Sequence, residues 1–189
     1  MHAGGGHNEA VAEVVLRPFD AAALYSALDD RRLELGLSWR GVADEIWQMS
    51  AELNARRRDH PISPSTLTSI ATRSATSCQH VLFMLRWLGR NPESFLSADG
   101  YGDDPRFALP QAGADRRLRW SLGLLWACLD EKRRQESLTW KQLAGLLART
   151  PNQLTGLRTA RFATGMDTAM RIVQWIGRPA ADFVYPARW

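Results

Sequence analysis

The sequence LTWKQLAGLLARTPNQLTGL spans residues 138–157 and predicts two short helices joined by a tight turn. Thr139 and Gln142 have the spacing of a capping box, in which two side chains and two backbone N–H groups pair at a helix start. Thr150 is suited to cap the second helix, and Pro151 to its first position, where a missing N–H costs nothing. Apolar residues at helical spacing predict one shared core for both helices. They are Leu143, Ala144, Leu147, Leu154 and Leu157.

This stretch resembles the helix-turn-helix of the phage repressor (Cro/C1, XRE-like) family. The resemblance lies in a small residue on the first helix, Ala144, another at the turn, Ala148, and apolar residues at Leu154 and Leu157. The turn residue is usually glycine in that family. Its second helix lies in the DNA major groove, so the resemblance implies DNA binding through residues 151–159.

Four sequence blocks of this half occur earlier in the chain, in the same order. Residues 24–32 match 125–133, 37–43 match 138–144, 64–68 match 151–155, and 87–90 match 175–178. Matches in the same order indicate the duplication of one helical unit. Together with the resemblance they predict an all-α fold, with two lambda-repressor-like helix-turn-helix domains in tandem that form an intramolecular pseudo-dimer.

Turn and cap signals predict the domain boundaries. We expect a tail with a short helix at residues 1–18, a first domain at 19–97, a linker at 98–113 and a second domain at 114–189. The first domain's opening helix should begin after Asp20 and end before Gly36, because these residue types favour helix caps. Residues 114–135 predict one long helix that opens the second domain, and no segment predicts a strand.

Residues 47–63 form an insertion in the first domain that the second lacks. Its first half favours helix, so the second helix should run to about Arg57 and stop before the His60-Pro61 pair. A helix of that length carries Leu53 beyond one small unit. We therefore expect the insertion to dock on the second domain or on another copy of the chain. The first recognition helix should follow at residues 64–72.

The net charge of +4 is modest, but its distribution favours a polyanion partner. Residues 60–91 and 137–166 contain no Asp or Glu, and both stretches include a predicted recognition helix. A polyanion could approach them without like-charge repulsion. The alternative is an ordinary surface rich in Ser and Thr.

The candidate DNA-contacting residues are polar or basic and lie on or beside the recognition helices. They are Arg40, Ser65, Thr66, Thr68, Ser69, Arg73, Lys141, Arg149, Asn152, Gln153, Thr155, Arg158 and Arg161. Asn and Gln can bond adenine edges and Arg can bond guanine, whereas Ser and Thr more often bind phosphates. An exposed polar helix without a ligand is the alternative, especially in the first domain. The sequence is equally compatible with phosphate binding by Arg56, Arg57 and Arg58 and with a solvated run of charges at these positions.

Other functions find little support in the sequence. It contains no phosphate loop, nucleophile elbow or paired-carboxylate motif. Cys78 and His80 have no further ligands nearby, so we expect neither metal nor cofactor. Cys78 and Cys128 do not occupy matching positions, which argues against a disulfide and favours a reducing compartment. No apolar run approaches the ~20 residues that cross a bilayer, and residues 1–9 lack a signal peptide's apolar core.

The sequence therefore predicts sequence-specific binding to double-stranded DNA by a cytoplasmic, nucleoid-associated transcriptional regulator. Its recognition helices would be residues 64–72 and 151–159. The alternative is a protein-interaction adaptor that keeps the fold without DNA binding, and the eight tryptophans are compatible with an added interface. A homodimer or a protein partner, through the insertion and the tryptophan-rich surfaces, also stays open. An enzyme is the least favoured class.

Overall fold

The computed structural model describes residues 15–70, 72, 76–96, 104–159 and 163–188, and these are mostly helical. The first half contains α1 (Ala21–Glu34), α2 (Trp39–Gln48), α3 (Ala51–Arg57), α4 (Pro64–Thr68) and α5 (Cys78–Leu88). The second half contains β1 (Arg117–Trp120), α6 (Leu122–Gln135), α7 (Trp140–Leu146), α8 (Pro151–Thr155), α9 (Met166–Ile176) and β2 (Val184–Ala187). Short 3₁₀ helices lie at Pro92–Phe95, Pro105–Phe107, Gly156–Thr159 and Ala180–Phe183.

The expectation of an all-α fold is wrong in one respect, because β1 and β2 form a two-stranded antiparallel sheet. Arg117 pairs with Ala187, and Trp120 pairs with Val184. The strand β1 lies inside the segment for which one long helix was expected, and α6 begins only at Leu122. A strand this short is stable only beside its partner, which lies at the far end of the second half.

Equivalent residues of the two halves form the same contacts. These are the ion pairs Asp29–Arg32 and Asp130–Arg133, the stacked rings Tyr25–Trp39 and Trp126–Trp140, and the left-handed helix ends at Gly89 and Gly177. The isolated bridge between Phe19 and Leu96 corresponds to the pair Trp120–Val184 in the sheet. The sequence repeat is therefore accompanied by a repeat of structure.

The two halves share a continuous apolar core and are joined at its centre by backbone hydrogen bonds. Ser77 and Gly165, which precede α5 and α9, form an isolated antiparallel bridge. The N–H groups of Cys78 and Met166 each donate across this junction to a carbonyl of the other half at 2.8 Å. Helices α5 and α9 also contact each other.

The segment before the first helix of each half crosses to the last helix of the other half. The N–H groups of Arg17 and Phe19 donate to the side chains of Gln174 and Asp167 on α9, both at 2.9 Å. In the opposite direction, the Gln79 side chain on α5 donates to the Leu118 carbonyl at 2.8 Å. These crossed contacts add to the central bridge in setting how the halves meet.

The insertion does not continue α2 as one helix to Arg57, which corrects the expectation from sequence. Met49 and Ser50 separate α2 from α3. The buried Ser50 hydroxyl donates to the Arg116 carbonyl at 2.6 Å and accepts from the Arg86 guanidinium at 2.7 Å. Tertiary hydrogen bonds therefore stabilise the break, which helix propensity alone does not indicate.

The insertion docks on the second half, which is one of the two alternatives expected from the sequence. The Leu53 N–H donates to the Ala114 carbonyl at 3.2 Å. The Arg117 side chain is buried and bonds the amide oxygen of Asn54 and the carboxylate of Asp59. The insertion is consequently held between the first domain and β1.

The expected tail and linker are described only in part. Residues 1–14 and 97–103 lie outside the described part of the chain, and with them most of the short helix expected in the tail. Residues 108–112 of the expected linker lie beside α5, where Arg86 donates to the Ala112 carbonyl at 2.6 Å. Within the described ranges, the helices are too short and too polar to span a membrane.

Candidate nucleic-acid interface

Helices α7 and α8 are joined by a tight turn with caps at both helix starts. Thr139 and Gln142 form the predicted capping box, and Thr150 caps α8 with Pro151 at its first position. Ala148 adopts a φ of +50° in the turn. Alanine in this left-handed region costs about 1 kcal/mol, and the N–H of Arg149 offsets part of that cost by bonding the Ala144 carbonyl at 2.8 Å.

The apolar residues predicted to hold the two helices together are buried. They are Leu143, Ala144, Leu147, Leu154 and Leu157. Residues 151–159 are helical as expected, first as α8 and then as a 3₁₀ helix. Burial of this apolar side leaves the opposite side of α8 exposed to solvent.

Three candidate DNA-contacting side chains lie on the exposed side of α8, and they differ in their hydrogen bonds. Asn152 is exposed, and its amide makes no hydrogen bond with the residues that the structure describes. The Gln153 amide oxygen accepts from the Thr150 N–H at 2.9 Å, in a second capping box that the sequence analysis missed. The Thr155 hydroxyl donates to the Pro151 carbonyl at 3.0 Å. Of the three side chains, Asn152 is therefore the one whose amide is left uncommitted by the described residues.

Arg149, a candidate DNA contact, is partnered within the protein. Its guanidinium pairs with the Asp167 carboxylate and donates to the Thr168 hydroxyl at 2.8 Å. Burial raises the pKa of Asp167, but the N–H of Phe19 and the guanidinium groups of Arg171 and Arg149 outweigh this effect and lower it overall. Arg149 therefore ties the turn between α7 and α8 to the start of α9. Asp167 also pairs with Arg171, so this one carboxylate offsets only part of the charge of the two guanidinium groups.

Arg158 and Lys141 lie on the same exposed surface of the second half. The Arg158 guanidinium lies 5.4 Å from the centre of the Trp126 ring, which stacks on Trp140. Lys141 is exposed near the start of α7 and makes no ion pair with a described residue. These two cations remain accessible to a phosphate. Arg161 lies outside the described residues.

The recognition helix of the first half is shorter than expected, because α4 ends at Thr68 rather than at residue 72. The hydroxyl groups on and directly after this helix bond the hydroxyl of Ser63, which caps it, or local backbone carbonyls. The candidates concerned are Ser65, Thr66, Thr68 and Ser69. Arg40 on α2 is exposed at the position equivalent to Lys141, and Arg73 lies outside the described residues. The described first half thus presents one exposed candidate cation and few uncommitted polar groups.

Helices α4 and α8 both border the bridge between Ser77 and Gly165. One cleft is lined by Thr66 and Ser69 of α4 together with both bridge residues. A second cleft is lined by Gln153 of α8 and by Gly165. The two candidate recognition helices are therefore neighbours of the same central junction.

Sequence reasoning missed the internal partners of two candidate cations. Asp167 holds Arg149, and Trp126 lies against Arg158. One signal was available, because Asp167 is the first acidic residue after the acid-free stretch 137–166. No comparable signal links residues 126 and 158, which only the packing of α6 against the segment after α8 brings together.

The described residues form no group of three or more His, Cys, Asp and Glu side chains that could hold a metal ion. Cys78 is buried, and burial raises the pKa of its thiol to about 12. A thiol with that pKa is a poor nucleophile at neutral pH. Burial also lowers the pKa of His80, which favours the neutral form of its imidazole.

Comparisons of the chain with models of protein families, with curated proteins and with solved structures find no match.

Proposed function

We propose that the chain is a sequence-specific DNA-binding protein and a transcriptional regulator. In this proposal the halves are two helix-turn-helix units that form an intramolecular pseudo-dimer, with α4 and α8 as recognition helices. The observation that carries the proposal is that both helices border one junction, to which the halves contribute equivalent residues. Paired recognition helices of such proteins enter successive major grooves about 34 Å apart.

The two halves would have unequal roles on DNA. Asn152 in the second half offers an exposed amide for base contacts. In the first half the hydroxyl groups of α4 are bonded internally, which suits phosphate contacts better than base readout. Arg40 and Lys141 occupy equivalent positions and would anchor the two halves to the backbone. The preferred site would then be asymmetric.

The alternative is an adaptor that keeps the fold but binds a protein. The ion pair of Arg149 with Asp167 favours it, because this pair engages the Arg149 guanidinium within the protein. An exposed apolar side chain near the same turn also favours it, since Leu146 is 57% exposed at the end of α7.

Selection of bound DNA from a pool of random duplexes separates these functions. A regulator enriches one motif. Its association constant for that motif should fall as the salt concentration rises, with a log–log slope of about −3 to −5, because we expect about three to five phosphate contacts. Failure to enrich a motif at near-physiological salt, together with no binding at low salt, would refute DNA binding and support the adaptor.

A further inference from the structure

The insertion brings two arginine-rich segments of the chain together. Asp59 accepts from Arg57 at 3.1 Å and also bonds Arg117 of β1. Directly before β1 in the chain, the Asp115 carboxylate lies 3.6 Å from the Arg116 guanidinium and 3.4 Å from that of Arg188. The C-terminal turn of α3 is thereby held against β1.

This junction concentrates positive charge. We call it the arginine surface. Its exposed and half-buried members are Arg56, Arg57, Arg58, Arg116, Arg119 and Arg188, whereas Arg117, which joins the two segments, is buried. The acidic residues within it are Asp59 and Asp115, and Glu52 lies one turn before Arg56 on α3. Arg56 and Arg58 are exposed and form no ion pair with a described residue. The surface therefore holds an excess of positive charge comparable to that of the whole chain.

Arg119 is repelled by neighbouring arginines. Burial, and then the charges of Arg117 and Arg57, lower the pKa of Arg119. Asp59 and Asp115 offset part of the repulsion between like charges at this junction, and a polyanion that approaches from solvent would offset more of it. Planar guanidinium groups match phosphate oxygens in bidentate geometry. The surface is suited to a polyanion that carries many phosphates.

The arginine surface also lies close to a candidate recognition helix. Five residues, from Asp59 to Ser63, connect Arg58 to the start of α4. An extended chain of that length spans at most roughly 18 Å, which corresponds to about five base pairs of duplex DNA. The second half has no equivalent of the insertion or of its arginines, since a tight turn leads directly from α7 to α8.

We propose that the arginine surface binds the phosphate backbone of duplex DNA beyond the base pairs that α4 and α8 contact. This inference rests on the proposed function. It lengthens the stretch of duplex that the protein contacts on the side of the first half. Proximity to α4 favours DNA over an acidic protein, because the same duplex would continue from α4 past the insertion.

The test uses the full chain and a 40-base-pair duplex of random sequence. In the variant Arg56→Gln/Arg58→Gln, both substituted residues lie on the arginine surface and outside the ion pairs that dock the insertion. The matched control is Arg106→Gln/Arg134→Gln, which removes the same charge at exposed residues away from that surface. Fluorescence anisotropy across a salt series gives the log–log slope for each protein. We expect the slope of the surface variant to become less steep by about 2, with the control unchanged.

Equal slopes for the two variants would overturn the inference while leaving DNA binding itself intact. Salt-independent or absent binding by the unsubstituted chain would instead refute the proposed function, and the inference with it. Polyglutamate serves as a second probe. A surface variant that loses polyglutamate binding but keeps its DNA slope would identify an acidic protein as the partner and overturn the inference.

Discussion

Ser77 and Gly165 face each other in an antiparallel bridge between the two halves of the chain. They occupy equivalent positions in the two halves, each directly before the last long helix of its half. The hydrogen bonds on either side of the bridge are also equivalent, with the N–H of Cys78 and of Met166 as donors. A backbone pairing of this kind orients the halves independently of the connecting segment.

Removal of one donor from this junction should weaken it. Cys78→Pro eliminates the N–H that bonds the Thr164 carbonyl, yet proline suits the first position of α5 and follows the extended Ser77 without strain. We expect the free energy of unfolding to fall by about 1 kcal/mol relative to Cys78→Ala, which keeps the N–H. Urea denaturation of both variants measures the difference. Equal stabilities would show that this bond contributes nothing to the junction.

Asn152→Ala should weaken binding to the preferred duplex by about 1–3 kcal/mol and relax specificity in one half-site. The reason is that the exposed Asn152 amide has no described hydrogen-bond partner and can bond a base edge. Competition with scrambled duplexes measures the specificity, and Gln135→Ala on the exposed side of α6 is the control. Equal losses on the preferred and scrambled duplexes would limit Asn152 to backbone contact.

Asn54→Ala should destabilise the protein by about 1–3 kcal/mol, because it leaves the buried Arg117 guanidinium without one acceptor. It also removes the bond from the Asn54 amide to the Trp47 carbonyl, at 2.7 Å. Glu52→Ala on the same helix is the control and should change stability by less than about 0.5 kcal/mol. Thermal and urea unfolding check both values. Similar unfolding of the two variants would mean that the insertion is a passive loop.

Glu93 should make stability depend on pH. Its carboxyl is buried and accepts from the Ala180 N–H at 2.7 Å, and burial raises its pKa above the ordinary value of 4.5. The folded state therefore holds the proton more tightly than the unfolded state. The stabilisation is present at low pH and is lost as the pH rises from 4.5 through the folded pKa.

Glu93→Gln should remove this dependence, so the stability of the unsubstituted chain should fall relative to the variant as the pH rises above 4.5. Urea denaturation at several pH values tests the prediction, with the exposed Glu34→Gln as control. Parallel stability curves for Glu93→Gln and the unsubstituted chain would contradict it.

Local sequence was sufficient to predict those contacts whose partners lie within a few residues of each other along the chain. The Thr139–Gln142 capping box, the caps at Asp20 and Thr150, and the apolar face of α7 and α8 were all predicted. Each depends on spacing within one or two helical turns, so a short stretch carries the whole signal. The repeat was visible for the same reason, because matching blocks preserve local patterns.

Only the tertiary structure decided the features that depend on distant partners. The strand β1 exists because Val184–Ala187 lies beside it, and α2 ends early because Ser50 bonds Arg86 and Arg116. The sequence predicts Arg149 to be a cation available to DNA, whereas in the fold its guanidinium pairs with the Asp167 carboxylate. The sequence by itself thus determined the helices, their caps and the repeat, whose signals are periodic and local. Burial and long-range pairing determined where the sheet forms, where the insertion docks and which cations stay exposed.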